Sequence, residues 1–232
     1  MAGKLKSITK KIHWSLAFKA LAVFFAWVWL PAWIAWVLGA VFYFSSLFGA
    51  RQMFLPMLMS FVLASILGQN FIAAALLGVL FFLILGLKEL VFIDRRLASE
   101  SMIFLILSAA GFLLYESADA WSAWAAVKIF IFAWMFWALA GGFLERKEIS
   151  NPKSPLVLGV MSFLLFEISM VIAFLPLDFL YQAAIAIFTA FIFFEWLTAY
   201  SEERLEKNKI LFYASFLFIL ATLIFSFAAW SV

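Results

Sequence analysis

The sequence predicts an all-α, polytopic transmembrane helix bundle, and three observations support this fold class. Apolar residues (AVILMFWYC) make up 68% of the 232 residues and charged residues only 12%, whereas a soluble domain is about half apolar and a quarter charged. Apolar runs of spanning length follow one another with short connectors, and a span needs about 20 apolar residues. The alternating pattern of barrel strands is absent. Each run is therefore predicted to be a helix, because helices and closed barrels satisfy the backbone in lipid.

The same composition excludes several classes of protein. A soluble enzyme or a disordered tail would not carry so much apolar surface, and a disulfide scaffold is excluded because there is no Cys. Net charge is only +3, and the basic residues form short clusters between apolar runs. Nucleic acid is therefore not an expected partner. The expected environment is the lipid bilayer, as a multi-pass protein of a bacterial or archaeal cytoplasmic membrane.

The first third of the chain contains two long apolar runs, Trp14–Ala50 and Gln52–Leu87. Each is roughly 36 residues, or about 54 Å as a straight helix, against a hydrocarbon core of about 30 Å. Each run has a break near its midpoint, at Pro31 and at Gly68-Gln69-Asn70, and Pro disrupts a helix interior. We therefore predict two tight hairpins, which give four short spans.

The rest of the chain contains five apolar segments with brief connectors. This gives nine spans in total; seven spans, with long kinked or re-entrant helices in the first third, is the alternative. The five segments lie near Ser101–Tyr115, Trp121–Leu144, Pro155–Leu175, Leu180–Tyr200 and Ile210–Ser231.

Charge distribution predicts the orientation. In the nine-span arrangement every Lys and Arg except Lys128 falls at one side of the membrane. By the positive-inside rule the N-terminus is cytoplasmic and the C-terminus is outside. The seven-span alternative keeps this orientation but moves Arg51 to the outside.

The expected domain organisation is simple. Residues 1–14 form a basic segment, either an interfacial helix on anionic headgroups or a frayed tail, and residues 15–232 form a single transmembrane helical domain. The basic connectors are centred near residues 92, 149 and 206. Such regular spacing suggests two-helix hairpin units, although a chain so rich in a few apolar residues also produces repeats by chance.

Apart from Lys19, whose position near the start of the first span lets it reach the membrane surface, three charged residues lie inside predicted spans: Lys128, Glu167 and Glu195. Each costs at least about 2.5–3.5 kcal/mol near the membrane centre. Lys128 and Glu167 lie at nearly the same depth on neighbouring helices, which predicts a buried ion pair. That pair would either lock two helices together or form part of an ion, proton or substrate path. Glu195 is about one turn inside the cytoplasmic end of its helix, so we expect it to reach water; a proton-relay or headgroup role is the alternative.

A second candidate site is a polar rim at the outer membrane face. Without any basic residue among them, these side chains could form an acidic vestibule that attracts cations. The simpler interpretation, which we favour, is that turns are polar because they meet water. The rim consists of Gln69, Asn70, Glu116, Asp119, Asp178 and Gln182.

No catalytic motif, metal site or cofactor is predicted. The phosphate-binding loops, zinc-binding histidine pairs and nucleophile elbows of known enzymes are absent, and the single histidine, His13, stands among lysines before the first span. Three functional classes remain. The favoured one is a structural or accessory subunit with protein partners in the membrane. A small transporter or channel using Lys128 and Glu167 is the alternative, and an enzyme acting on lipid is third.

Overall fold

The computed structural model describes residues 2–45, 53–89, 94–116, 123–146, 154–203 and 207–227. These ranges contain nine α-helices and no strand, which confirms the predicted all-α fold. The chain divides into two compact units, Met1–Ile106 and Leu107–Val232. The expectation of one transmembrane domain over residues 15–232 stays a prediction.

Unit 1 contains four helices and the first half of a fifth, and its turns lie where the sequence predicts them. Pro31 separates the first two helices, and Gly68-Gln69-Asn70 separates the third from the fourth. Gly68 has a φ of 80°, a left-handed conformation that glycine adopts without steric cost. The two predicted helix breaks are therefore confirmed. The helices are α1 (Ala2–Trp29), α2 (Ala32–Phe44), α3 (Phe54–Leu67), α4 (Phe71–Lys88) and α5 (Arg95–Glu116), which crosses the boundary between the units.

Packing in unit 1 centres on Phe61 of α3, which is 1% exposed. Its ring contacts Trp27 of α1, Trp36 of α2 and Phe81 of α4, with centroids 4.9 to 6.5 Å apart. A Cβ atom at Gly39 would lie 2.2 Å from the Phe61 ring, so only glycine lets α2 approach α3 this closely. One aromatic side chain thus joins all four helices.

Unit 2 contains the remaining helices, and their bounds agree closely with the predicted spans. Tyr115 ties α5 to α7 because its hydroxyl donates to the Ser169 carbonyl at 2.9 Å. Gly111 brings α5 against Ile187 of α8, since a Cβ there would lie 2.7 Å from the Ile187 side chain. The other helices are α6 (Ala123–Arg146), α7 (Ser154–Ala173), α8 (Phe179–Ser201) and α9 (Lys207–Phe227), and α6 packs on α7, α7 on α8, and α8 on α9.

Five of the helices described are long and apolar enough to cross a membrane. The apolar part of α9 covers Ile210–Ser226, and the last residues of the predicted span Ile210–Ser231 lie outside the described part of the chain. The chain is compatible with an integral membrane protein, while the number of spans and the orientation stay predictions. The five helical stretches are Phe71–Lys88, Arg95–Glu116, Trp124–Glu145, Pro155–Ala173 and Phe179–Ser201.

Candidate functional site

Glu167 lies on the exposed face of α7, well inside the helix. At about 1.5 Å per residue it is roughly 9 Å from Ala173 and 20 Å from Ser154. The exposed residues around it recur every three or four positions, so they form one continuous face of the helix. We call this face the Glu167 stripe. Its other members are Leu156, Gly159, Val160, Phe163, Leu164 and Val171.

Lys128 of α6 is half-buried and lies at nearly the same level as Glu167. The Phe130 ring contacts the Phe166 ring at 6.2 Å between centroids, and a Cβ at Gly141 would contact Leu158 at 3.4 Å. The contacts run in opposite directions along the two helices, so α6 and α7 are antiparallel.

The ion pairs between described side chains include Lys19–Glu89 and Arg96–Glu100. Lys128 takes part in an interaction as well. Lys128 and Glu167 lie at nearly the same level along their helices, as the sequence predicts, but Glu167 is exposed on the Glu167 stripe. A buried Lys128–Glu167 pair therefore stays a prediction.

Glu195 lies half-buried on α8, six residues before its last residue, Ser201. It takes part in an interaction of its own. Its neighbour Trp196 differs, because the Trp196 indole nitrogen is buried without a hydrogen-bond partner among the described residues. Most buried polar groups form a hydrogen bond. The Trp196 indole nitrogen is therefore a more unusual feature than the half-buried Glu195 beside it.

Trp196 also lines a cavity of about 340 Å³ between α8 and α9. The lining is almost wholly apolar, and it includes two alanines of α9 whose small side chains leave room between the helices. This cavity was not predicted, because the two helix faces resemble every other apolar face of the sequence. The lining residues are Thr189, Ile192, Phe193, Trp196, Tyr213, Ala214, Leu217, Phe218 and Ala221.

In unit 1 the predicted outer polar residues serve the turn between α3 and α4. Asn70 is the N-cap of α4: its side-chain oxygen accepts from the Ala73 amide at 2.7 Å, and its side-chain nitrogen donates to the Leu67 carbonyl. Gln69 donates to the Leu30 carbonyl at 2.8 Å. Both side chains therefore satisfy backbone groups that a helix end leaves unpaired.

In unit 2 the outer polar residues are less uniform. The Gln182 amide donates to the Leu175 carbonyl at 2.9 Å, just beyond the end of α7. Asp178 is exposed at the N-cap of α8, but its side chain makes no capping bond. Glu116 is exposed at the end of α5, and Asp119 lies outside the described residues. A cation-attracting vestibule stays a prediction.

The sequence interpretation missed a buried cation in unit 1. Lys88 is 4% exposed at the end of α4. Its ammonium donates to the Tyr43 carbonyl and lies 3.8 Å from the centroid of the Tyr43 ring, a cation–π contact. The sequence predicts Lys88 only as one of the basic residues that mark the cytoplasmic side. It fastens the end of α4 to the end of α2.

Beside it, Lys19 of α1 pairs with Glu89 at 3.0 Å. The two side chains are 20% and 17% exposed, so the pair is partly shielded from solvent. Lys19 and Tyr43 lie twelve residues before and after Pro31. The predicted hairpin register could therefore have placed Lys19 and Tyr43 at the same level.

Among the described residues, no group of three or more His, Asp or Glu side chains could hold a metal ion. No family model, curated protein or solved structure matches the chain. Function is therefore inferred from the placement of charged and polar groups.

Proposed function

We propose that this chain is a structural or accessory subunit of a membrane complex, and that it binds a partner protein through the Glu167 stripe. The observation that carries the proposal is the exposed carboxylate of Glu167 within an otherwise apolar face of α7, more than one turn from either end of the helix. Exposed Phe or Leu side chains would not be evidence, because lipid covers them as well as protein does. A carboxylate is different, since lipid tails offer it no hydrogen-bond donor.

A carboxylate near the membrane centre costs at least about 2.5–3.5 kcal/mol. A partner helix with a Lys, an Arg or a hydroxyl at the same depth would offset that cost. Gly159 lies on the same stripe, and nothing lies within 4 Å of the position that a Cβ would take there. Small residues let two membrane helices approach closely. The stripe therefore combines a polar anchor with a point of close approach.

The proposal includes nine spans with the N-terminus in the cytoplasm. The described helix ends support it: Lys88 ends α4, Arg95 and Arg96 begin α5, Arg146 ends α6 and Lys207 begins α9. Successive helices run in opposite directions in this topology, so these ends fall on one side. The transporter alternative requires a buried Lys128–Glu167 pair, and the exposure of Glu167 favours a partner instead.

The test is site-specific crosslinking in native membranes, with a photoreactive amino acid at Phe163 of the stripe. We expect one crosslinked protein partner, and we expect Glu167→Leu to lower its yield about tenfold, which corresponds to about 1.4 kcal/mol. The matched control is Glu203→Leu, which removes an exposed carboxylate that lies after the end of α8, and its yield should not change.

Two results would overturn the proposal. One is a Phe163 probe that crosslinks only to lipid in the unaltered chain. The other is a yield that is equal in Glu167→Leu and in the unaltered chain. Glu167→Gln should keep part of the yield, because an amide still accepts a hydrogen bond from the partner.

A further inference from the structure

Lys128 and Glu167 both lie away from the face where α6 meets α7. At that face Phe130 contacts a ring of α7, and Leu158 lies against Gly141 of α6. At about 100° per residue, Lys128 is roughly 160° round α6 from Phe130, and Glu167 is roughly 180° round α7 from Leu158. The two charges therefore lie on opposite flanks of the α6–α7 pair.

The two charges also lie at almost the same depth. From the contact between the Phe130 and Phe166 rings, Lys128 is two residues toward the start of α6, and Glu167 is one residue toward the end of α7. Because the helices are antiparallel, both steps go in the same direction, and the two levels differ by about 1.5 Å. Copies of one sequence share one orientation in the membrane. Lys128 of one copy therefore lies at the depth of Glu167 of another.

Lys128 lies at the edge of the exposed face of α6. It is half-buried, and it is one turn from Trp124 and from Ile131, which are 70% and 40% exposed. Among the described residues of unit 2, it is the one Lys or Arg that lies more than a turn inside a helix long enough to cross the membrane. Its ammonium has three donors. It can therefore keep the interaction it makes within the chain and still donate to a carboxylate.

We propose that the Glu167 stripe binds a second copy of this chain, and that Glu167 of one copy pairs with Lys128 of the next. This inference rests on the binding role proposed for the stripe and names its partner. The two flanks are complementary, because each is apolar apart from one charge and the two charges have opposite signs. Ionisable groups inside a membrane pair with one another. Since the charges lie on opposite flanks, the copies meet head to tail, a contact that closes into a ring when the rotation allows.

The experiment uses cysteine pairs, since the chain has no Cys of its own. Two differently tagged versions of the full chain are expressed together and oxidised in native membranes. One carries Leu164→Cys on the stripe and the other Ile131→Cys on α6, and both positions are 40% exposed. We expect a disulfide-linked dimer of the two versions. The control is Leu156→Cys with Ile131→Cys, which should give little dimer, because Leu156 is exposed on the same stripe but about 12 Å farther along the helix.

Charge substitutions test the ion pair itself. Glu167→Lys, added to the Leu164→Cys version, should lower the dimer yield about tenfold, because two cations then meet. Lys128→Glu, added to the Ile131→Cys version, should restore the yield, because opposite charges meet again. Recovery also shows that both altered chains fold. A yield that Glu167→Lys leaves unchanged would refute the assigned pair.

The outcomes distinguish this inference from the binding role of the stripe. A dimer at Leu164 and Ile131, together with a Phe163 photoadduct to another copy of the chain, supports both. A Phe163 adduct to a different protein, without a cysteine dimer, would overturn the self-association and leave the binding role intact. Adducts to lipid alone would overturn both. Equal dimer yields from Leu156→Cys and Leu164→Cys would also overturn the self-association, because they would show random collision.

Discussion

The two units of the chain differ in whether the polar groups described above have partners within the fold. In unit 1, Gln69 and Asn70 bind helix-end backbone, Lys19 pairs with Glu89, and the buried Lys88 binds Tyr43. In unit 2, Glu167 is exposed on an apolar face, and the buried Trp196 indole nitrogen and Ser169 hydroxyl lack partners among the described residues.

This difference distinguishes polar groups that stabilise the fold from polar groups that are available to bind another molecule. A polar group in lipid must find a partner or remain costly. Where the fold supplies the partner, the group is explained as structure. Where the fold does not supply it, a ligand or another protein is the natural source. Unit 2 is therefore where we place both proposed sites.

The largest expected effect on stability is in unit 1. Lys88→Met should lower the free energy of unfolding by about 1.5–3 kcal/mol, because it removes a charge-assisted hydrogen bond and the contact with the Tyr43 ring. Detergent-induced unfolding in mixed micelles measures the change. Lys207→Met, at an exposed position at the start of α9, is the control and should stay near zero. Equal losses of unfolding free energy in the two variants would contradict the stabilising role of Lys88.

A smaller effect compares the two units directly. Asn70→Ala removes the capping bond to the Ala73 amide and should cost about 1 kcal/mol. Asp178→Ala changes the same position of α8, where the side chain makes no capping bond, and should cost only a few tenths of that. The same unfolding assay measures both. A larger loss for Asp178→Ala would mean that unit 2 depends on its caps as unit 1 does.

The smallest effect is within α7. Ser169→Ala removes a buried hydroxyl that has no partner among the described residues, and it leaves the carbonyl that binds Tyr115. We expect no loss of stability, or a slight gain, since deleting an unsatisfied group is nearly free. Ser162→Ala is the matched change, because that hydroxyl donates to the Leu158 carbonyl at 2.7 Å, and it should cost about 0.5–1.5 kcal/mol. If Ser169→Ala proves the more costly of the two, the hydroxyl has a partner such as a buried water.

The helices could be predicted well from the sequence. Pro31 and the Gly68-Gln69-Asn70 turn act locally, because a missing amide donor or a left-handed residue breaks a helix whatever surrounds it. The predicted span Leu180–Tyr200 differs from α8 by one residue at each end. Apolar length and polar connectors were sufficient for this part of the fold.

The inward faces of the helices could not be predicted. In a soluble protein the buried face is the apolar one, but in lipid both faces are apolar and the sequence carries little periodicity. Glu167 and Ser169 are two residues apart on α7, yet one is exposed and the other fully buried. For the same reason the burial of Lys88 could not be predicted from the sequence.

The two shortest helices of unit 1 bear on the predicted nine-span arrangement. α2 and α3 have 13 and 14 residues, so each is about 20 Å long, against a hydrocarbon thickness of about 30 Å. In the nine-span arrangement, lipids beside these helices would have to compress or tilt to cover the mismatch, at a fraction of a kcal/mol for each ångström. That arrangement therefore predicts that unit 1 thins the bilayer locally and favours membranes with shorter acyl chains.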